Sequence, residues 1–312
     1  MIDPLAQVVM LLQPSVRFSK FVECAGHWRI HRLGTGEPFF CAVLEGRCRV
    51  IVDGHPPMTL QTGDFLLVPA MRDLIHASPD APSNEVAAKP IEVAPGHFRL
   101  GTWDQPIALR MQIGHCSFAS PDAEQLISLL PQIVIVRDEP RLAALMQLVH
   151  GETRARRPAR DLVIERLLEV LLIEALRCGG ETTSAPGLAR GLADDRLAVA
   201  LCSLHTRPEL PWTVPKLAAE AALSRSAFFA RFNRTVGLPP MQYLLAWRMA
   251  LAKRLLTAHE LGMDQIAERV GYGSASSFTV AFARHVGIPP SKYARGHFAV
   301  STRLDPSSER YF

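Results

Sequence analysis

The chain contains no apolar run near the roughly 20 residues that a membrane-spanning helix needs, so no span is expected. Its opening, MIDPLAQVVMLLQP, puts no basic segment ahead of its short apolar stretch, which argues against a cleaved export signal. The six cysteines (24, 41, 48, 116, 178 and 202) are scattered and form no CxxC pair. That spacing fits neither a disulfide framework nor a zinc ribbon, and a reducing cytoplasm is the expected compartment. Charged residues make up only 21% of the chain, while 48% are hydrophobic, as in a globular protein. A length of 312 residues suffices for two separate cores.

Positive charge is scarce in one half and concentrated in the other. Residues 194–312 hold 15 Lys and Arg against 9 Asp and Glu, a net of +6. Residues 1–193 hold 19 against 21, a net of −2. A basic excess confined to one part of a chain is the electrostatic footprint of a nucleic-acid module.

That part also contains an internal repeat. Residues 223–243 read LSRSAFFARFNRTVGLPPMQY and residues 273–293 read GSASSFTVAFARHVGIPPSKY, identical at ten of 21 positions without a gap. Each copy has a Ser (Ser224, Ser274) placed to cap a helix, then Phe at i and i+4 (Phe228 and Phe232, Phe278 and Phe282) marking a buried face. A Gly (Gly237, Gly287) and a Pro-Pro pair then stop the helix. A short amphipathic segment precedes each copy, VPKLAAEAA and DQIAERV. Helix, tight turn and capped second helix make a helix-turn-helix, expected at about 212–233 and 261–284. Between the copies, MQYLLAWRMALAKRLLTA predicts one connecting helix roughly 27 Å long.

These motifs resemble the DNA-binding domain of the AraC/XylS family of bacterial transcription regulators. IAERVGY, SASSF, FARHVGIPPSKY and LLAWRMALAKRLL stand in that family's order and spacing over residues 195–295. The resemblance implies a sequence-specific regulator whose two motifs enter adjacent major grooves of double-stranded DNA, with RNA polymerase as a partner and with activator and repressor both open as roles. Helical geometry then selects the reading positions. Opposite the Phe face lie Ser226, Ala230 and Asn233, with Phe229 at the margin. In the second copy these are Ser276, Val280 and Ala283, with Thr279 at the margin. Asn233 alone offers bidentate pairing, with adenine, and the apolar side chains suit thymine methyls. Arg225, Arg231, Arg234 and Arg284, at helix edges, suit phosphates.

From residue 18 to residue 118 the pattern is one of short β-like runs with turn signals every 8–12 residues. The stretch VLEGRCRVIVDGHPPMTLQTGDFLLVPAMRDLIH is similar to a cupin, and the resemblance extends over most of residues 1–135. It implies a barrel that senses a small effector. Metal-bearing cupins present His-x-His, whereas this chain has Phe39-Phe40-Cys41-Ala42 there. His27, His31, His76, His97, His115 and Cys116 show no ligand spacing, so neither metal nor cofactor is expected. Trp28, Phe39, Cys41 and His76 are candidates for the barrel mouth and an effector site, with core packing the alternative for Trp28 and Phe39. Cys24 and Cys116 are candidates for a redox role, because His115 adjoins Cys116.

Helical periodicity over 123–130, 140–151 and 161–177 predicts a helical hairpin beside the barrel, apolar over a wide arc and suited to homodimerisation. The composition of residues 179–194 is that of a linker. The expected fold is therefore α+β in two domains. Residues 1–178 form a cupin-like β-barrel with a helical hairpin, 195–295 an all-α double helix-turn-helix domain, and 296–312 a tail. A metal-dependent cupin enzyme joined to a nucleic-acid module is the alternative function.

Overall fold

The computed structural model describes residues 3–82, 88–118, 123–127, 129–155, 157–182 and 186–296. These divide into two compact units. One holds Leu12–Ala123 and Pro131–Ala185; the other holds the residues up to Leu11, Glu124–Leu130 and those from Pro186 onward.

A first helix, α1 (Pro4–Leu12), leads into the sheet strands. These are β1 (Pro14–Ala25), β2 (Arg29–Val52), β3 (Met58–Gln61), β4 (Phe65–Ala77), β5 (Ile91–Ala94), β6 (His97–Gly101) and β7 (Ile107–Phe118). After α2 (Ala123–Ile127) comes the last strand, β8 (Val134–Val136). The strand order is β5-β6-β1-β7-β2-β4-β8, with β3 paired to β2. All pairings are antiparallel except β1 with β6.

The long strand β2 curls the sheet. Its residues 29–33 pair with 73–77 of β4, and its residues 49–52 pair with 74–77 of the same strand. Register shifts near residues 34–38 and 43–48 allow the bend, and Gly46 sits at one of them with φ +84°. A side chain at Gly46 would run into the Ala108 carbonyl at 2.0 Å, so only glycine fits there. The inner face collects Val22, Trp28, Phe39, Val43, Leu66, Met111 and their neighbours into one buried cluster. The cupin-like curl foreseen in the sequence is thus present.

The helical hairpin is α3 (Pro140–Arg154) and α4 (Arg160–Thr182), which pack together and against β1. Pro at the first turn and Glu139, whose carboxylate accepts from Arg141 N at 3.1 Å, start α3.

The second unit comprises α5 (Leu188–Ala193), α6 (Asp195–Thr206), α7 (Val214–Glu220), α8 (Arg225–Val236), α9 (Pro240–Ala258), α10 (Met263–Arg269), α11 (Ala275–Val286) and α12 (Pro290–Ala294). Two expected boundaries shift. The expected linker at 179–194 is largely helical: α4 continues to Thr182 and α5 begins at Leu188. Its residues 183–185 lie outside the described residues, as do 297–312 of the expected tail.

By its contacts, α1 as far as Leu11 groups with the helical unit. Its Gln7 Oε1 accepts from His205 Nδ1 of α6 at 2.9 Å, and His205 Nε2 accepts from the Tyr243 hydroxyl of α9 at 2.6 Å. Only one neutral tautomer permits both bonds. Burial holds the His205 pKa down at about 3, so the ring is neutral and these two bonds occupy both of its nitrogens.

Candidate nucleic-acid interface

Each repeat builds its helix from the same local devices. The Ser224 hydroxyl accepts from Ala227 N at 3.3 Å, and Ser274 from Ser277 N at 3.1 Å. At the other ends Gly237 (φ +89°) and Gly287 (φ +86°) take the left-handed conformation, donating to the carbonyls of Asn233 and Ala283. Behind each helix stands the same aromatic stack. Phe228 and Phe232 lie 5.5 Å apart between centroids, and Phe232 meets Tyr243 edge-on at 5.8 Å. Phe278, Phe282 and Tyr293 repeat the arrangement at 5.5 and 5.5 Å. These rings fix which face of α8 and of α11 remains outside.

The two turns are not identical, which the ungapped sequence comparison conceals. Ala222 (φ +50°) precedes Leu223 and Ser224 in the first, while Gly271 (φ +80°) precedes Tyr272, Gly273 and Ser274 in the second. Leu223 N donates to Ala218 O as Tyr272 N donates to Ala267 O, so Gly273 is one residue extra. Gly271 is held by its surroundings: a Cβ would meet Arg248 Nη2 at 2.4 Å. Arg248 itself donates to the Pro208 and Leu210 carbonyls, both at 2.8 Å, locking α9 to the loop before α7.

On α8, Arg225, Ser226, Phe229, Ala230, Asn233 and Arg234 are exposed. Phe229 keeps 44% of its surface in solvent, a large apolar exposure. On α11, Ser276, Val280 and Arg284 are exposed, Val280 at 71%, and Thr279 and Ala283 are half-buried. The Thr279 hydroxyl donates to Ala275 O at 2.7 Å, which ties it to its own helix. A concavity of about 800 Å³ runs along this face, lined by Ser276, Val280, Arg284, Ser277, Ala281 and Leu245 of α9. Ser277, Ala281 and Leu245 were not among the expected positions, because helical phase alone cannot show that α9 would supply the second wall.

Arg231, expected at a phosphate, also has a partner within its own unit. Its Nε donates to Asp194 Oδ2 at 2.6 Å, while Asp194 caps α6 by accepting from Arg196 N and Leu197 N. Burial pushes the Asp194 carboxyl upward, but the Arg231 and backbone hydrogen bonds outweigh it and leave the pKa lowered. The Nε edge of the guanidinium is thus engaged within the unit, while the side chain stays half-exposed.

In the barrel the expected effector and redox residues lie in the interior. Trp28, Phe39 and Cys41 do not form an open mouth: they are enclosed among the core side chains of the curled sheet. His76 is 5% exposed and held neutral at about pKa 3, first by burial and then by nearby Arg32. Cys24 and Cys116 are buried, and their thiols are pushed up, Cys116 to about 12 and Cys24 well above its usual value. Both are therefore thiols rather than reactive thiolates, with burial as the main cause. His115 does not activate Cys116, because successive strand residues face opposite sides of the sheet. Among the described residues no three His, Cys, Asp or Glu side chains converge as a metal site. Two of the candidate histidines are instead paired, His31 with Asp73 at 2.8 Å and His97 with Glu23 at 3.0 Å. No described helix is long and apolar enough to cross a membrane.

Comparison with known families agrees with both halves. A cupin family model matches residues 3–179, and a helix-turn-helix domain model matches residues 217–296. An AraC-like transcription regulator of Streptomyces lividans is 34% identical over 301 residues, covering 94% of this chain and 98% of that protein. The chain belongs to the AraC-like transcription regulators. Another similar protein is the HTH-type transcriptional regulator AlkR of Acinetobacter baylyi, 28% identical over 288 residues, with 88% of this chain and 92% of AlkR covered. Among solved structures, the DNA-binding domain of AdpA in complex with a target DNA is 32% identical, covers 33% of this chain and 92% of its own, and gives a TM-score of 0.31. ToxT from Vibrio cholerae is 12% identical, with 92% of this chain and 98% of ToxT covered, at a TM-score of 0.37. As a regulator of this family, the protein combines a cupin-like sensor with a DNA-binding helix-turn-helix domain.

Proposed function

We propose that this regulator binds double-stranded DNA in the cytoplasm as a homodimer, with α8 and α11 each presented to a major groove. The observation that carries the reading is the duplicated aromatic stack, which leaves Phe229, Ala230 and Asn233 outward on one helix and Ser276 and Val280 outward on the other. Arg225, Arg234 and Arg284 hold phosphates at the helix edges, Asn233 pairs with adenine, and Phe229 and Val280 meet thymine methyls. Arg231 is assigned a positioning role through Asp194. Dimerisation is supported by Leu148 of α3 and Leu162, Val163 and Val170 of α4, large apolar side chains exposed on the hairpin. A small effector in the sensor alters DNA binding, RNA polymerase is the protein partner, and no enzymatic step is assigned to the barrel. Selection of duplex sites from a random library with full-length protein tests the reading. An enriched, thymine-containing motif is expected, and equal affinity for all duplexes would defeat it.

A further inference from the structure

Three inward-facing polar side chains meet at one place inside the curled sheet. Ile30 and Arg32 share a face of β2, and Ile30 belongs to the buried cluster, so Arg32 also points inward. His76 lies directly across from Ile30 on β4, and His115 lies across from Phe39 on β7. Arg32 Nη1 donates to His115 Nε2 at 3.1 Å, and the Phe39 ring lies 5.7 Å from His76 and 5.1 Å from His115.

The guanidinium is a permanent charge, and no carboxylate among the described residues pairs with it. The groups that share its electrostatic field are Cys41, His76 and Lys20. Lys20 lies across from inward-facing Ile113, with its ammonium 4.5 Å from the Phe98 ring. The carboxylate acting on Lys20 is Glu92, which is exposed and accepts from Gly96 N at 2.9 Å. His76 Nε2 is buried without a hydrogen-bond partner. A half-buried cation lacking a counter-charge, beside a buried ring nitrogen lacking a partner, is an arrangement that an anion completes.

We propose that Arg32, His76 and His115 form the polar end of the effector site, and that the effector is a small organic carboxylate. A carboxylate matches the guanidinium in charge and in its two-pronged geometry. Phe39, Leu74 and Ile113 beside the site favour a ligand with an apolar body over a bare inorganic ion. This inference rests on the effector-controlled reading above.

The test uses full-length protein and a panel of acetate, hexanoate and benzoate, with hexanamide, benzamide and inorganic phosphate as controls. Saturable thermal stabilisation by hexanoate or benzoate is expected, and none by the matching amides. Arg32→Met should weaken that binding by at least about tenfold, because it removes the bidentate charge. It should melt no lower than wild type without ligand, since it removes an uncompensated charge. Arg32→Lys, which keeps charge but not the fork, should fall between the two. Absence of carboxylate binding, equal binding of the amides, unchanged binding in Arg32→Met, or unfolding of that variant would each overturn the assignment. Anisotropy of a labelled selected duplex is read alongside. Ligand-free Arg32→Met should bind it like wild type. If wild type itself shows no sequence preference, the regulator reading fails, whatever the carboxylates do.

Discussion

Arg231 and Arg234 stand one helical turn apart on α8, yet the first is tied to Asp194 and the second is exposed. Arg234→Ala should therefore weaken all duplexes alike and lower the salt slope by about one, as measured by anisotropy at several salt concentrations. Asn233→Ala should instead relax preference at one or two base pairs, at a cost of about 1–3 kcal/mol for a bidentate contact, as read from a site library. Arg231→Ala should first lower the melting temperature, because Asp194 loses a charge-assisted partner while still capping α6. His205 adds a pH dependence. Its folded pKa of about 3 lies below the usual 6.5, so below about 6.5 the unfolded chain binds a proton that the fold refuses. Stability should be full above that pH and fall by on the order of 1 kcal/mol per unit as the pH drops toward 3. Urea titrations of wild type and His205→Gln would show this, with a shallower acid slope in the variant. The Phe pairs were legible in the sequence because i and i+4 spacing has one meaning on a helix. The role of Arg231 was not, since its partner lies outside its own helix.

Helix α1 illustrates the same limit among elements. Nine residues with Leu5, Val8, Val9 and Leu12 buried must pack against something, but nothing in their periodicity says what. The cupin resemblance placed them with the barrel, and the structure adds that Gln7 joins them to α6 and, through His205, to α9. Gln7→Ala should cost about 1–3 kcal/mol, because it strands a buried ring nitrogen of His205. A fragment beginning at residue 195 should melt below the full helical unit for the same reason, and differential scanning calorimetry would register both effects. The turn of the second motif was also hidden, because the ungapped repeat gave no sign of its extra residue. Gly271 sits where a left-handed residue is needed, and Gly271→Ala should destabilise by about 1–3 kcal/mol through strain and collision with Arg248. The β character of this stretch was legible as short runs broken by glycine and proline, which the structure joins into the single strand β2. That both of its ends would pair with β4 was not, because long-range register leaves no local trace.

For the whole molecule, the exposed apolar side chains of α3 and α4 argue for a second copy of the chain. Val163→Glu with Val170→Glu should shift sedimentation from dimer to monomer while leaving the helical unit folded. The central claim is that one subunit uses two helices on two successive turns of the groove. Hydroxyl-radical footprinting of full-length protein on a selected site tests it most directly. For each half-site the account predicts two protected blocks on one face of the duplex, about 10 base pairs apart. Arg234→Ala should fade one block and Arg284→Ala the other. A single protected block per half-site, or two variants that fade the same block, would contradict it.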